Sequence, residues 1–468
     1  MMKSEKVKEK KQFPFNQVIA AVICNIGALN SGMGVGWLSP ALPQMRAEGG
    51  LLAPLDPDPA TTLASWMAGI FALSGLFCTP LVAIYTETLG RKVCAMTAGI
   101  PYAINAIIIL TSDNVYHLLF GRFMMGIGIA LALLNTPTYI GETSDDHVRG
   151  VLGALLTLGY TLGITASYLV GGFISYKAGA VMLLVFAVLS SVLFLFVPET
   201  PVWLVRKGKL EKAAKSVAWL WRADPDDLAV RKELMRLQEA TKVGNPSRIQ
   251  AAKQLVLSKP LRRGFLLCVM SMAIQGWMGM IAVHSYSVTI FLESGAGNLS
   301  AEGAAAIYGS IQVMGALCVT SLIERSGRKM LMVSSSFLVA FFMFTMGTYF
   351  HLQSQGVDLI SYQWVPVVAL SLCVFSYTIG AGSVPFILIS DLLTNEVRSV
   401  ATMVVVQIMF LNSFLSLRFF APAVLAFGND VIFFFFGAAA TIGGLTAIFL
   451  IPETKGKSTQ QIQEILSR

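Results

Sequence analysis

The feature that most restricts this chain is the recurrence of apolar runs of about 18 residues or more along almost its entire length. Charged residues make up 13% of its 468 positions and the mean hydropathy is +0.68. A soluble domain carries roughly twice that share of charge, so lipid is the solvent these runs expect. Backbone groups in hydrocarbon must be paired within their own segment, which makes each run a helix. Long runs rich in Leu, Ile, Phe, Ala and Gly lack the alternation over ~10 residues that barrel strands show. The expected fold is therefore an all-α membrane protein with twelve transmembrane helices in two six-helix bundles. The helices are placed at 15–40, 62–86, 92–111, 116–141, 149–173, 178–198, 263–291, 301–325, 329–350, 363–391, 397–425 and 429–451. The parts are a cytosolic segment 1–14, a bundle 15–198, a cytosolic linker 199–262, a bundle 263–451 and a cytosolic tail 452–468.

The net charge of +8 would suit a nucleic-acid partner, but its distribution removes that reading. With both termini cytosolic, 30 of the 34 Lys and Arg fall in cytosolic segments, and only Arg46, Arg122, Lys177 and Arg418 do not. This is the positive-inside pattern of a membrane protein whose first helix directs insertion without a cleaved signal. The linker reads as two amphipathic helices, 210–222 and 226–242, lying on the inner surface. Six cysteines sit in or beside apolar segments and suggest neither a disulfide framework nor a metal site. A glycosylation sequon at Asn298 falls on the outer side, between helices seven and eight. Lipids and a small-molecule solute are the expected partners, with no cofactor.

The chain also repeats itself. Pro137 to Gly150 carries Glu142 seven residues before Arg149, and the later copy carries Asp391 seven before Arg398. The turn Glu87-Thr88-Leu89-Gly90-Arg91-Lys92 returns as Glu324-Arg325-Ser326-Gly327-Arg328-Lys329. Pro198-Glu199-Thr200 returns as Pro452-Glu453-Thr454. Three matches in the same order, at offsets of 237, 249 and 254, indicate a parallel duplication.

With Gly121-Arg122-Phe123 and the tail 452–458 added, these motifs make the chain resemble a sugar porter of the major facilitator superfamily over nearly its whole length. Insect-type glucose and trehalose facilitators are the nearest in pattern. The resemblance implies alternating access around a central site. It also implies a cytosolic gate in which Arg91, Arg149, Arg328 and Arg398 pair across the bundles with Glu87, Glu142, Glu324 and Asp391. Thr88 stands where the family usually has arginine.

Carried over by motif, the substrate site falls on Gln275, Gln312, Thr157, Trp277, Phe386 and Asn412. Several family positions have changed: Gly276 replaces a second glutamine, Ile281 an asparagine, and Phe386 a tryptophan. A sugar must have its hydroxyls matched, so two substrate readings stand: a sugar such as glucose or trehalose, or a more apolar molecule such as an isoprenoid. A non-transporting solute sensor is a third class, weakened by a tail with no signalling module. Gly34 stands where proton-coupled relatives place a carboxylate, and no acid lies mid-membrane, so a uniporter is expected. His284 reads as a packing residue. Arg418 either snorkels or meets an anionic group. No nucleophile–base set or phosphate-cradling loop points to an enzyme.

Overall fold

The computed structural model describes residues 14–242, 248–295, 299–457 and 459–467. Asn298 and the lysines before residue 14 lie outside the described residues, as does the side chain of Glu324. Helices long and apolar enough to cross a membrane number 12 among the described residues, and we call them spans 1 to 12. They run Phe15–Arg46, Pro57–Leu89, Arg91–Thr111, Val115–Thr143, His147–Phe173, Tyr176–Leu193, Lys259–Glu293, Ala301–Val319, Arg328–Ser354, Ile360–Leu392, Glu396–Phe427 and Asn429–Leu450. No strand occurs among the described residues.

Three spans expected as continuous helices are interrupted. Span 1 changes course at Trp37, between helices Phe15–Gly36 and Leu38–Arg46, because Pro40 has no N–H to offer the Gly36 carbonyl. Span 7 breaks between Trp277 and Met280, where Gly279 takes φ +79°, a conformation that suits a residue without Cβ. Span 10 breaks between Ile379 and Val384, over Gly380-Ala381-Gly382-Ser383. Such breaks free backbone carbonyls at membrane depth, and they persist only where protein groups satisfy them.

Small residues set the helix spacing. A Cβ on Gly32 would lie 1.9 Å from the Tyr160 carbonyl oxygen, and one on Gly126 would lie 1.9 Å from that of Phe71. Spans 1 and 5, and spans 2 and 4, therefore meet backbone to backbone. Between spans 6 and 7 the chain forms four short helices: Pro201–Arg206, Leu210–Trp221, Leu228–Lys242 and Arg248–Leu257. The second and third fall near the expected amphipathic pair. The fourth was unexpected; it buries Ala251 and Leu255 and packs against span 11.

The two six-span halves meet on the face opposite the termini. There Ser39 and Ser287 hydroxyls lie 2.8 Å apart, and Tyr168 donates to the His284 carbonyl at 2.6 Å. Gly75 of span 2 lies under the Phe410 ring of span 11, and Gln407 donates to the Leu76 carbonyl at 3.4 Å. Positions Gly141, Gly150 and Gly153 have no heavy atom within 4 Å of where a Cβ would stand. Contacts between the halves thus run from the face opposite the termini to midway along spans 2 and 11.

Candidate functional site

A polar cluster lies where the breaks of spans 7 and 10 face span 8. Gln275, in the last turn before the span 7 break, donates from Nε2 to the Gly382 carbonyl at 2.8 Å. Gly382 belongs to the span 10 break, so the glutamine satisfies a carbonyl that the interruption set free. Its own Oε1 is buried without a partner. Below it His284 engages Tyr308 through Nδ1 at 2.7 Å, and Gln312 Nε2 approaches its Nε2 at 3.4 Å. Gln312 Oε1, too, is buried and unpartnered. Tyr168, Tyr308 and Tyr377 border this group, with Tyr160 near enough to interact with all three. His284 thus joins a polar network rather than only packing.

The remaining candidates divide. Asn412 is buried and donates from Nδ2 to the Met272 carbonyl at 3.3 Å. Its side chain also occupies the volume beside Gly276: a Cβ there would stand 2.4 Å from Asn412 Cβ. Asn412 therefore fills space that a side chain at 276 would need. Trp277 stands edge-on to Phe435 of span 12, with both rings more than a third exposed, away from the glutamine–histidine network. Thr157 is half-buried on span 5, and Phe386 is exposed one turn after the span 10 break.

At the terminal face each half builds the same charge cluster. In the first, Arg91 Nη2 lies 2.8 Å from Glu142 Oε1, and Thr200 donates its hydroxyl to Glu142 Oε2 at 2.5 Å. Glu199 accepts from the backbone N–H groups of Arg91 at 3.1 Å and Lys92 at 3.1 Å, capping span 3. In the second, Arg328 Nε lies 3.1 Å from Asp391 Oδ2, which also accepts from the Thr454 hydroxyl at 2.7 Å. Glu453 accepts from the N–H groups of Arg328 at 3.1 Å and Lys329 at 3.2 Å. A carboxylate at a helix N-terminus meets both unpaired N–H groups and the positive end of the dipole. Gly90 at φ +106° and Gly327 at φ +86° open the turns, and a Cβ on either would strike the capping carboxylate.

The duplication read in sequence is thus a duplication of geometry, but its pairing differs from expectation. The ion pairs Arg91–Glu142 and Arg328–Asp391 lie within each half, not across the two. Glu87 pairs with neither: its partner is Arg248 of the fourth linker helix, at 2.8 Å, and Arg248 also donates to the Ala83 carbonyl. Arg149 donates to the Ser144 carbonyl, while Arg398 donates to those of Ser390 and Leu393, closing equivalent turns. Trp203 supports the first cluster from below, donating to the Glu87 carbonyl at 2.9 Å, with Lys207 and Lys209 over its ring.

Among known families, residues 12–466 match the one described as "Sugar (and other) transporter". The chain belongs to this family. It is a multi-pass membrane transporter and not an enzyme. The facilitated trehalose transporter Tret1 of Polypedilum vanderplanki is 29% identical over 451 residues, covering 96% of this chain and 88% of that protein. Its counterpart in Drosophila pseudoobscura pseudoobscura is 30% identical over 453 residues, but this chain spans only 51% of its length. The solved inward-open xylose transporter XylE of E. coli superposes with a TM-score of 0.78 at 19% identity, covering 97% of this chain and 100% of that one. XylE bound to 6-bromo-6-deoxy-D-glucose gives 0.74 at 18% identity, over 97% and 99%. At these identities the likeness is one of fold.

Sequence reasoning located the duplicated turns but passed over Glu199 and Glu453 as capping groups, and over Tyr160, Tyr168, Tyr308 and Tyr377. A signal for the tyrosines was present: a phenol at mid-membrane needs a polar partner and marks a wet or ligand-bearing interior.

Proposed function

We propose that this transporter moves a sugar down its gradient by alternating access, with Gln275, Gln312, His284 and Tyr308 at the binding site. The observation that supports this most is the pair of buried glutamine carbonyls, each with its amide nitrogen engaged and its oxygen free. An oxygen so placed accepts from a sugar hydroxyl, whereas an apolar solute would leave both unmatched. Tyrosine rings beside them supply faces for the C–H side of a pyranose. The names of the insect relatives point the same way. Among the described residues the buried charged side chains are Arg91 and Arg122; the shielded carboxylates Glu142 and Glu199 lie at the terminal face, and none lies mid-span to carry a proton, which favours uniport.

In this reading the termini are cytosolic, the protein sits in the cell membrane, and Asn298 carries a glycan that glycosidase treatment would remove. The terminal-face clusters hold each half rigid, and their charges face one another when that side closes. Uptake of labelled glucose, trehalose and a terpenoid into proteoliposomes tests the proposal. Saturable sugar uptake that a pH gradient does not accelerate is expected. Saturable terpenoid uptake with no sugar movement would overturn it.

A further inference from the structure

Of the four cations the sequence places away from the terminal side, three converge on one stretch of span 2. Arg46, at the exposed end of span 1, donates to the Thr61 hydroxyl at 3.4 Å. Arg418 of span 11, half-buried, donates to the Ser65 hydroxyl at 3.0 Å and lies 4.9 Å from the Trp66 ring centroid. Arg122 of span 4, fully buried, donates from Nε to the Met67 carbonyl at 2.9 Å. Together they descend from the face opposite the termini into the protein.

None of the three pairs with a carboxylate among the described residues. Arg122 shares Nη1 between the Gly34 carbonyl and the Met125 sulfur, and its guanidinium lies between the rings of Trp37 and Phe71. Its Nη2 is buried with no partner. The hydroxyl of Tyr286, on span 7 beyond its break, is likewise buried and unpartnered. Its neighbour Ser287 meets Ser39, two residues from the Trp37 ring that flanks Arg122, and its own ring lies 5.0 Å from Phe420, two residues from Arg418. Two orphan donors, one of them cationic, facing a protein region with no carboxylate carry a large desolvation cost that an anion offsets.

We propose that a small monovalent inorganic anion of the halide class binds between the Arg122 guanidinium and the Tyr286 hydroxyl, entering past Arg46 and Arg418. Arg122 is fully buried, flanked by two rings and bonded to two helix backbones, which keeps it away from the lipid surface. The site straddles the halves: Arg46 and Arg122 come from the first, Tyr286 and Arg418 from the second. It is complete only when the face opposite the termini is closed, so the anion stabilises that conformation by its differential affinity. The inference does not depend on which solute is carried.

The test uses the full chain in nanodiscs, spin-labelled at the opposite-face ends of spans 2 and 7. Sodium chloride or bromide is titrated against sodium gluconate at constant ionic strength. Halide is expected to raise the closed-distance population saturably, and bromide to give anomalous density beside Arg122 in crystals. Tyr286→Phe and Arg418→Gln, which keep ring and chain length, should weaken the apparent halide affinity about tenfold or more. Their thermal unfolding in gluconate should match the parent, separating ligand loss from misfolding. Identical distance distributions in halide and gluconate would overturn the proposal. So would variants that respond like the parent, or acetate acting as strongly as halide, which would mark a carboxylate site instead.

Discussion

Removing the charge of Glu142 should harm the protein more than removing that of its duplicate, Asp391, and the structure says by how much. Glu142 accepts from Arg91 through one oxygen and from the Thr200 hydroxyl through the other. In Glu142→Gln the amide oxygen can keep Arg91 while its nitrogen donates to Thr200, whose hydroxyl reverses role. Both hydrogen bonds then survive, and what is lost is the charge opposite Arg91. Side-chain exposure is 5% for Arg91 and 14% for Glu142, against 22% for Arg328 and 20% for Asp391. Breaking a buried pair outright costs about 3–5 kcal/mol, and an exposed pair is worth about 0–1 kcal/mol. With the hydrogen bonds retained, we expect about 2 kcal/mol for Glu142→Gln and about 1 kcal/mol for Asp391→Asn. Glu142→Ala, which leaves Arg91 wholly unpaired, should reach the full 3–5 kcal/mol of a broken buried pair. Adding Arg91→Gln to Glu142→Gln should cost less than the sum of the single changes, since no uncompensated charge remains. Thermal unfolding of the purified variants, with sugar uptake at matched membrane levels, gives the ranking. If Asp391→Asn proves as damaging as Glu142→Gln, burial is not what sets the strength of these clusters.

Three further outcomes follow from the same geometry. Gly90→Ala places a Cβ 2.1 Å from Glu199 Oε2 at a φ of +106°, whereas Gly327→Ala meets Glu453 Oε2 at 2.6 Å; both should lower folded yield, Gly90→Ala more, as size-exclusion profiles would report. Gln275→Leu removes the donor to Gly382 as well as the free oxygen, so it should lower both stability and uptake. Tyr308→Phe should raise the KM for sugar and, by leaving His284 Nδ1 buried without its partner, lower stability by about 1–3 kcal/mol, measured by uptake beside thermal melts. Acidification should loosen the second cap and not the first. Burial raises the Glu199 carboxyl above the usual range despite N–H donors from Thr200, Lys92 and Arg91. At Glu453 burial acts the same way, but N–H donors from Lys455, Arg328, Lys329 and Thr454 prevail and hold it below that range. Glu453 therefore contributes stability above the unfolded carboxyl value and loses it only as pH falls through its lowered one. Glu199 has the opposite sign, ionised at a cost and first to take a proton. Amide exchange at Arg328 and Lys329, corrected for intrinsic rates, should quicken as pH falls through the lowered Glu453 range, while exchange at Arg91 and Lys92 should not quicken; the reverse order would refute the assignment.

Much of this molecule is legible in one dimension. Lipid leaves a backbone no choice but to pair with itself, so twelve apolar runs announce twelve spans. The three repeated motifs announce two like halves because a charge at a membrane boundary cannot be placed at random. Partners were another matter. The family resemblance set these acids and arginines to pair across the bundles, but Glu142 meets Arg91 of its own half, and Arg149 donates to the Ser144 carbonyl. Whether the arginines tie one half or two depends on which face is open, and no motif carries that. The breaks in spans 7 and 10 needed only glycines to permit them. It took the packed structure to show Gln275 satisfying the carbonyl that one break exposes, and Asn412 filling the space that Gly276 leaves. The sequence by itself determined the solvent, the number of spans and the internal symmetry, because those follow from properties summed along the chain. Only the tertiary structure decided which polar atoms keep a free valence, because that depends on what arrives from elsewhere in the fold.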